Sequence, residues 1–343
     1  MLRGGLRLAE IPYGWVVRYR NGRYDRRLAP IHAVDVPVVC VGNLTLGGTG
    51  KTPLVEWLAG WFSSRGIRLA IVSRGYGTRA GVANDEALEL ALALPAVPHV
   101  QNADRLAAAR DALARYSAEL IVLDDGFQHR SLQRDLDVVL LDASEPFGME
   151  HLFPRGTLRE SPESLQRADV VVLSRATLLD EPGREAIRRR VACLAPQAVW
   201  CEVDHQPTVL INQAGERMPL ENLADRPTAA FCGIGNPAGF RHTLARLGCQ
   251  PVAWREFADH HAYDGHAVES LQAWASAAGA ELAVCTRKDL VKLPSPRLGP
   301  IGLWAVGIEL QFLRGRHELE SLLETMERRG EGAGVGVSKP DRH

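Results

Sequence analysis

The chain has no cysteine framework. Its six cysteines (Cys40, Cys193, Cys201, Cys232, Cys249, Cys285) are scattered over 343 residues without a C-x-x-C pair. Several lie in apolar, strand-like runs. This excludes a disulfide scaffold or a zinc ribbon and reads as buried, reduced thiols of a cytoplasmic protein. Long hydrophobic runs are missing too, and nothing approaches the roughly 18 apolar residues of a membrane span. Arg7 and Glu10 interrupt any apolar core near the start, so the start does not read as a secretory signal. Nor is there an excess of one charge. Forty basic residues face 41 acidic ones, a formal net charge of −1, so any pull toward nucleic acid or membrane must be local. No internal repeat is present. With 46% hydrophobic and 24% charged residues, disorder is not the theme. The length suits two domains, each able to bury its own core.

What is there centres on residues 36–54, VPVVCVGNLTLGGTGKTPL. A β-branched apolar run (Val36, Val38, Val39, Val41) reads as a buried strand. It enters a loop holding Gly42, Gly47, Gly48 and Gly50, then Lys51 and Thr52. Pro53 follows, at a position that the first turn of a helix tolerates. Strand, glycine loop and helix form the context in which a phosphate loop is credible. Glycines let backbone N–H groups wrap a triphosphate, and the helix start adds partial positive charge. Residues Thr45, Leu46, Gly47, Gly48, Thr49, Gly50, Lys51 and Thr52 are the expected ATP contacts. Lys51 would reach the β- and γ-phosphates, and the Thr52 hydroxyl would hold Mg²⁺. The strict pattern asks for glycine at 45, where Thr45 stands, so Thr45 is expected in an ordinary backbone conformation.

The first 27 residues carry seven arginines against Glu10 and Asp25. Trp15 and Tyr19 fall on one helical face among them. Two readings stand on these residues alone: a helix lying in a membrane interface, or a helix packed on the protein with a solvated basic face. Pro12 and Gly14 count against one continuous helix. Downstream, a second strand ends in SRGYG at 73–77, at the strand edge where open α/β sheets place ligands. Asn84-Asp85-Glu86 opens a helix, where a carboxylate pair is ordinarily a cap. Strand 120–123 ends in Asp124-Asp125-Gly126-Phe127-Gln128-His129. A strand ending in aspartate downstream of a phosphate loop is the Walker B arrangement, with one carboxylate on Mg²⁺. PRGTLRE at 154–160 is a loop. Two stretches, 198–203 and 208–212, read as a hairpin-like linker. A second α/β unit opens at Thr228. Its Asp259-His260-His261 lacks third and fourth ligands for a metal, which leaves a base or orienting dyad, or a helix cap by Asp264. TRKDLVKL at 286–293 follows a further strand.

Taken in this order, VGNLTLGGTGKTP, SRGYG, NDE, Asp104-Arg105, DDGFQH, LRE at 158–160, FCGIGNP, FADHHAY and TRKDLVKL resemble the tetraacyldisaccharide 4'-kinase family over residues 11–329. The resemblance implies an α/β fold: a mostly parallel sheet of phosphate-loop type flanked by helices, with a second, smaller α/β domain. The expected layout is a basic membrane-interface segment (1–27), the kinase domain (28–205), the linker (206–227), the second domain (228–329) and a disordered tail (330–343). It implies an ATP- and Mg²⁺-dependent kinase, acting as a monomer without nucleic acid. The kinase would sit peripherally on the cytoplasmic face of the inner membrane, against its anionic surface. Its substrate would be tetraacyldisaccharide 1-phosphate, phosphorylated at the 4'-hydroxyl. By matching position, Asp85 is the base, His260 its partner, and Lys51 and Asp125 are catalytic. Thr52, Asp124, Asp125, Gln128 and Glu160 hold Mg²⁺ and phosphate, and Arg74, Tyr76, Arg105 and Arg159 bind substrate. The two domains would close on each other for catalysis. Departures are Asn84 and Ala87, where Gly-Asp-Glu-Pro is usual, a short segment between Arg79 and Asn84, and Arg287, where Glu is usual. Two other classes stay open. One is a nucleotide switch of the MinD or signal-recognition type, although Leu46 stands where MinD-like loops place a lysine and Thr-Arg-Lys-Asp is the wrong order for the guanine motif. The other is a non-catalytic lipid-binding protein with a degenerate loop.

Overall fold

The computed structural model describes residues 2–75, 85–224, 226–259 and 261–331. Expectations placed on Tyr76, Asn84, His260 and the tail beyond 331 lie outside the described residues. The elements in chain order are α1 (Leu2–Asp25), β1 (Val38–Asn43), α2 (Lys51–Ser63), β2 (Leu69–Ser73), α3 (Asp85–Ala93), β3 (His99–Gln101), α4 (Arg105–Tyr116), β4 (Leu120–Asp124), β5 (Leu136–Asp142) and β6 (Val170–Ser174). Next come α5 (Glu181–Leu194), β7 (Val199–Ile211), β8 (Arg217–Met218), β9 (Thr228–Cys232), α6 (Pro237–Arg246), β10 (Ala253–Glu256), α7 (Gly265–Ala277), β11 (Leu282–Cys285), α8 (Arg287–Leu290), β12 (Arg297–Leu298), β13 (Ile301–Arg314) and α9 (Arg316–Glu331).

Two compact units emerge, and neither is contiguous. The first comprises Met1–Gly75, Ala96–Asp204 and Leu310–His343; the second comprises Tyr76–Pro95 and His205–Glu309. One break falls between Asp204 and His205, beside the expected end of the kinase domain, and two further segments lie outside that linear division. Helix α3, with Asp85, belongs to the second unit, and the end of β13 with α9 belongs to the first. Contacts far apart in sequence decide this, and a linear boundary search does not see them.

In the first unit the strands run β3-β2-β4-β1-β5-β6-β7, parallel throughout. Their apolar runs are buried on both faces, as central parallel strands require. One face packs Cys40, Val72, Ala108, Ala112, Ile121 and Leu123 together. Further along the same face, where Gly42 pairs with Val139 and Leu141 with Leu173, a second cluster packs Leu44, Phe127, Val139, Leu141, Leu173 and Val191. Helix α4 starts where the Asp104 side chain accepts from the Leu106 and Ala107 amides, satisfying two orphan donors. The carboxyl ends of β1, β4, β5 and β6 share one edge, which is where a parallel sheet presents ligand-binding loops.

The second unit orders its parallel strands β10-β9-β11-β13. Its core contains Phe231, Tyr263, Leu271, Leu290 and Leu303. Leu92 of α3 packs on that core, and the same helix is tied to α8 by Glu89 and Arg287 at 3.3 Å. Arg287, the departure from the usual glutamate, thus has a partner of its own here.

Two local expectations change. The stretches 198–203 and 208–212 form one continuous strand, β7. The hairpin comes later, where β8 pairs antiparallel with Leu210 and Ile211 around an Asn212 turn. The strand accommodates Pro207, which lies past the last β6 pairing at Glu202, where its missing N–H costs that ladder nothing. Helix α1 also runs straight through Pro12 and Gly14.

Candidate active site

The glycine loop links β1 to α2 as expected. Gly42 is required by close approach: a Cβ there would lie 2.5 Å from Phe127 Cβ. Gly50 takes φ 82° at the mouth of α2, a left-handed conformation that suits glycine. No side chain caps the helix, so its first amides stay available. Thr45 is buried and is not among the left-handed residues, as its side chain demands. Beside Gly47 and Gly48 there is open space.

Lys51 opens α2. Its Nζ lies 3.4 Å from Asn43 Oδ1 and 3.5 Å from Asp125 Oδ1. Arg159 reaches the same two acceptors, at 3.4 Å and 2.7 Å. The backbone places Arg159: its N–H donates to the Leu44 carbonyl, and Tyr13 of α1 donates to its carbonyl. Asp125 follows the end of β4 in a left-handed conformation, φ 52°, which costs about 1 kcal/mol for a residue with a Cβ. Burial pushes its carboxyl up, but the Lys51 and Arg159 charges together hold it below its ordinary value. Asp124 sits in register beside Val41 of β1. Gln128 donates to the Asn43 carbonyl at 2.9 Å, while its Oε1 is buried without a hydrogen-bond partner. Five residues from three separate stretches therefore converge on the loop: Asn43, Lys51, Asp125, Gln128 and Arg159.

Glu160 is placed otherwise. It is fully buried, and its two oxygens accept from Arg20 of α1 at 2.9 Å and Arg167 at 2.7 Å. Two guanidinium groups occupy the carboxylate that was expected to hold Mg²⁺, so its observed work is to dock α1. Arg105 is buried at the start of α4 and donates to the Ala103 carbonyl at 2.9 Å. Arg74 ends the β2 edge. No described contact joins either arginine to the Lys51 group. Among the described residues, no group of three or more His, Cys, Asp or Glu is placed to hold a metal ion.

The second unit gathers its own group. Asp289 is completely buried, and its oxygens accept from the Gly233 amide (3.0 Å), the Tyr263 hydroxyl (2.9 Å) and the Thr286 hydroxyl (2.7 Å). Lys292, 9% exposed, stands 3.6 Å from Asp289 and 3.7 Å from Asp85 at the start of α3. Tyr263 is held protonated by burial and by the Asp289 charge. His261 stacks on Phe257, and its Nε2 is buried without a partner. FCGIGNP, FADHHAY, TRKDLVKL and Asp85 thus meet in one unit. Reading the sequence alone missed Asn43, Asp289, Tyr263 and Lys292 as site residues. The signal lay in the quoted motifs, where Asp289 of α8 and Lys292 just beyond it are three residues apart.

Helix α1 presents two different faces. One face is docked through Glu10 to Arg155, Arg20 to Glu160 and Asp25 to Arg130. The other exposes Leu8, Ile11, Trp15, Val16 and Tyr19, with Trp15 67% and Tyr19 72% accessible. Among the described residues, no helix is long and apolar enough to cross a membrane.

The family model for LpxK, described as tetraacyldisaccharide-1-P 4'-kinase, matches residues 3–328. The chain belongs to that family. A tetraacyldisaccharide 4'-kinase of Anaeromyxobacter sp. (strain K) is 40% identical over 93% of this chain and 89% of its own. Its counterpart in Geobacter metallireducens is 36% identical over 90% and 94%. The solved structure of LpxK from Aquifex aeolicus in complex with ATP superposes with a TM-score of 0.78 at 29% identity, covering 95% of this chain and 99% of that one. The LpxK fold of phosphate-loop type accounts for the mostly parallel sheet, and the readings as a nucleotide switch or a non-catalytic lipid binder give way to a kinase.

Proposed function

We propose that this LpxK-family enzyme transfers the γ-phosphate of ATP to the 4'-hydroxyl of tetraacyldisaccharide 1-phosphate, making lipid IVA for lipid A biosynthesis. The observation that carries the proposal is the convergence of Lys51, Arg159, Asn43 and Asp125 on the glycine loop. At 3.5 Å, Lys51 and Asp125 are further apart than a tight charge-assisted hydrogen bond. A triphosphate entering the loop offers Lys51 a stronger partner and leaves Arg159 on Asp125. Phosphoryl transfer asks for this kind of positioning and charge neutralisation rather than for covalent chemistry.

The residues present fit Mg²⁺ as a companion of the nucleotide rather than as a resident ion. Thr52 lies in the first turn of α2, Asp124 at the end of β4, and the buried Gln128 Oε1 has no other partner. Held there, Mg²⁺ would supply positive charge to neutralise the phosphates during transfer. Asp85, at the start of α3 in the second unit, takes the proton from the sugar hydroxyl, with His260 orienting it. Lys292 stands 3.7 Å from the Asp85 carboxylate and helps to position it. The exposed apolar face of α1, flanked by arginines, enters the anionic cytoplasmic face of the inner membrane, where the lipid substrate resides.

The test is transfer of label from γ-³²P-ATP to purified tetraacyldisaccharide 1-phosphate in detergent micelles. Wild type should yield labelled bis-phosphorylated lipid, and Lys51→Ala should lose about 10³-fold in rate. Absence of labelled lipid from wild type that still binds ATP would overturn the assignment.

A further inference from the structure

The glycine loop of the first unit has two flanks. On the β4 side stand the carboxylates and cations already described. On the other side, past β5, stands the end of β6, which carries a different set. Ser174 is fully buried, and its hydroxyl donates to the Thr49 carbonyl at 2.7 Å. Arg175 follows in a left-handed conformation, φ 54°. One guanidinium nitrogen donates to the Gly48 carbonyl at 3.0 Å, and another pairs with Asp142 at the end of β5. Asp142 is held in turn, its Oδ1 accepting from the Ser144 amide and hydroxyl.

Ser174 is enough to brace the loop. Arg175 adds a planar cation, two of whose nitrogens are tied to Asp142 and Gly48 while its side chain stays 30% exposed. A nucleotide whose γ-phosphate faces Lys51 and the β4 carboxylates must leave the loop on the opposite flank. The surface it meets there is the Arg175 guanidinium. A purine ring laid on a fixed guanidinium gains stacking and cation–π attraction.

We propose that Arg175 is the nucleoside-positioning residue, its guanidinium stacking on the adenine ring of ATP while Gly48 and Asp142 hold it in place. The proposal rests on the reading of residues 45–52 as the phosphate site, and inorganic tripolyphosphate separates the two, because it fills that site without a nucleoside. Calorimetric titration of the full chain with Mg²⁺–ATP and with Mg²⁺–tripolyphosphate makes the comparison. Arg175→Ala should raise the Kd for ATP about tenfold, the scale of one desolvated guanidinium–ring contact. The Kd for tripolyphosphate should stay within about twofold of wild type. Arg175→Lys keeps a cation beside Asp142 and guards against a folding failure of the alanine variant. Having no planar face, it should weaken ATP about threefold and leave tripolyphosphate unchanged. Equal losses for both ligands would make Arg175 a loop brace and overturn the proposal, as would unchanged ATP binding. Wild type that binds neither ligand would overturn the phosphate-site reading, and the Arg175 proposal with it.

Discussion

Each unit sets a lysine against a carboxylate near the candidate chemistry, and the two pairings are built differently. In the first, Lys51 and Arg159 share Asp125, whose side chain remains one-quarter exposed beside an open glycine loop. In the second, Lys292 lies against Asp289, which is fully enclosed and filled by three hydrogen-bond donors. The first arrangement can give up a partner to an incoming phosphate at little cost, because water and Arg159 remain. Loss of the second leaves three buried donors unmet and a nearly buried cation with Asp85 as its remaining acidic neighbour, which is expensive in a low-dielectric interior. Asp85 stands between the two cases. It shares Lys292 with Asp289 but stays partly exposed at a helix start.

The largest effect that could break this contrast is on turnover. Asp85→Asn should lower kcat by about 10²–10⁴-fold, the usual range for a general base. The Kd for ATP should stay within about twofold, since the nucleotide loop belongs to the other unit. His260→Ala should behave alike, and unchanged turnover in both variants would remove the dyad. Next comes stability. Asp289→Ala should cost about 3 kcal/mol or more in urea unfolding, the scale for breaking a buried charged network. Asp125→Asn should cost about 1 kcal/mol or less, the scale for a water-accessible pair. Equal costs would erase the distinction between holding and yielding carboxylates. The smallest effect extends the same idea to α1, whose docked face holds while its free face is available. Trp15→Ala with Tyr19→Ala should weaken partition to anionic vesicles about tenfold and leave the melting temperature unmoved, because neither ring is packed. Undiminished vesicle binding would reject the membrane role of that face.

Much of this molecule is written locally. The run at 38–43 is apolar because both faces of a central parallel strand are covered. Gly50, Lys51 and Thr52 must follow one another for the loop to close over phosphate, so spacing alone reveals them. Asp125 is legible for the same reason, as the residue after a strand that leads into Gly126. These are effects of neighbours in the chain, and a single sequence contains them. Tertiary packing decided the rest. Nothing adjacent to Glu160 announces Arg20 and Arg167, yet their guanidinium groups turn an expected metal ligand into an anchor for α1. Nothing near Asp85 assigns it to the second unit. Lys292 and the Glu89–Arg287 pair do so from about 200 residues away. Sequence order determines which backbone turns and strand faces exist, because those energies depend on residues a few positions apart. Which charges find each other depends on desolvation and distance in the folded interior, and only the assembled chain sets those.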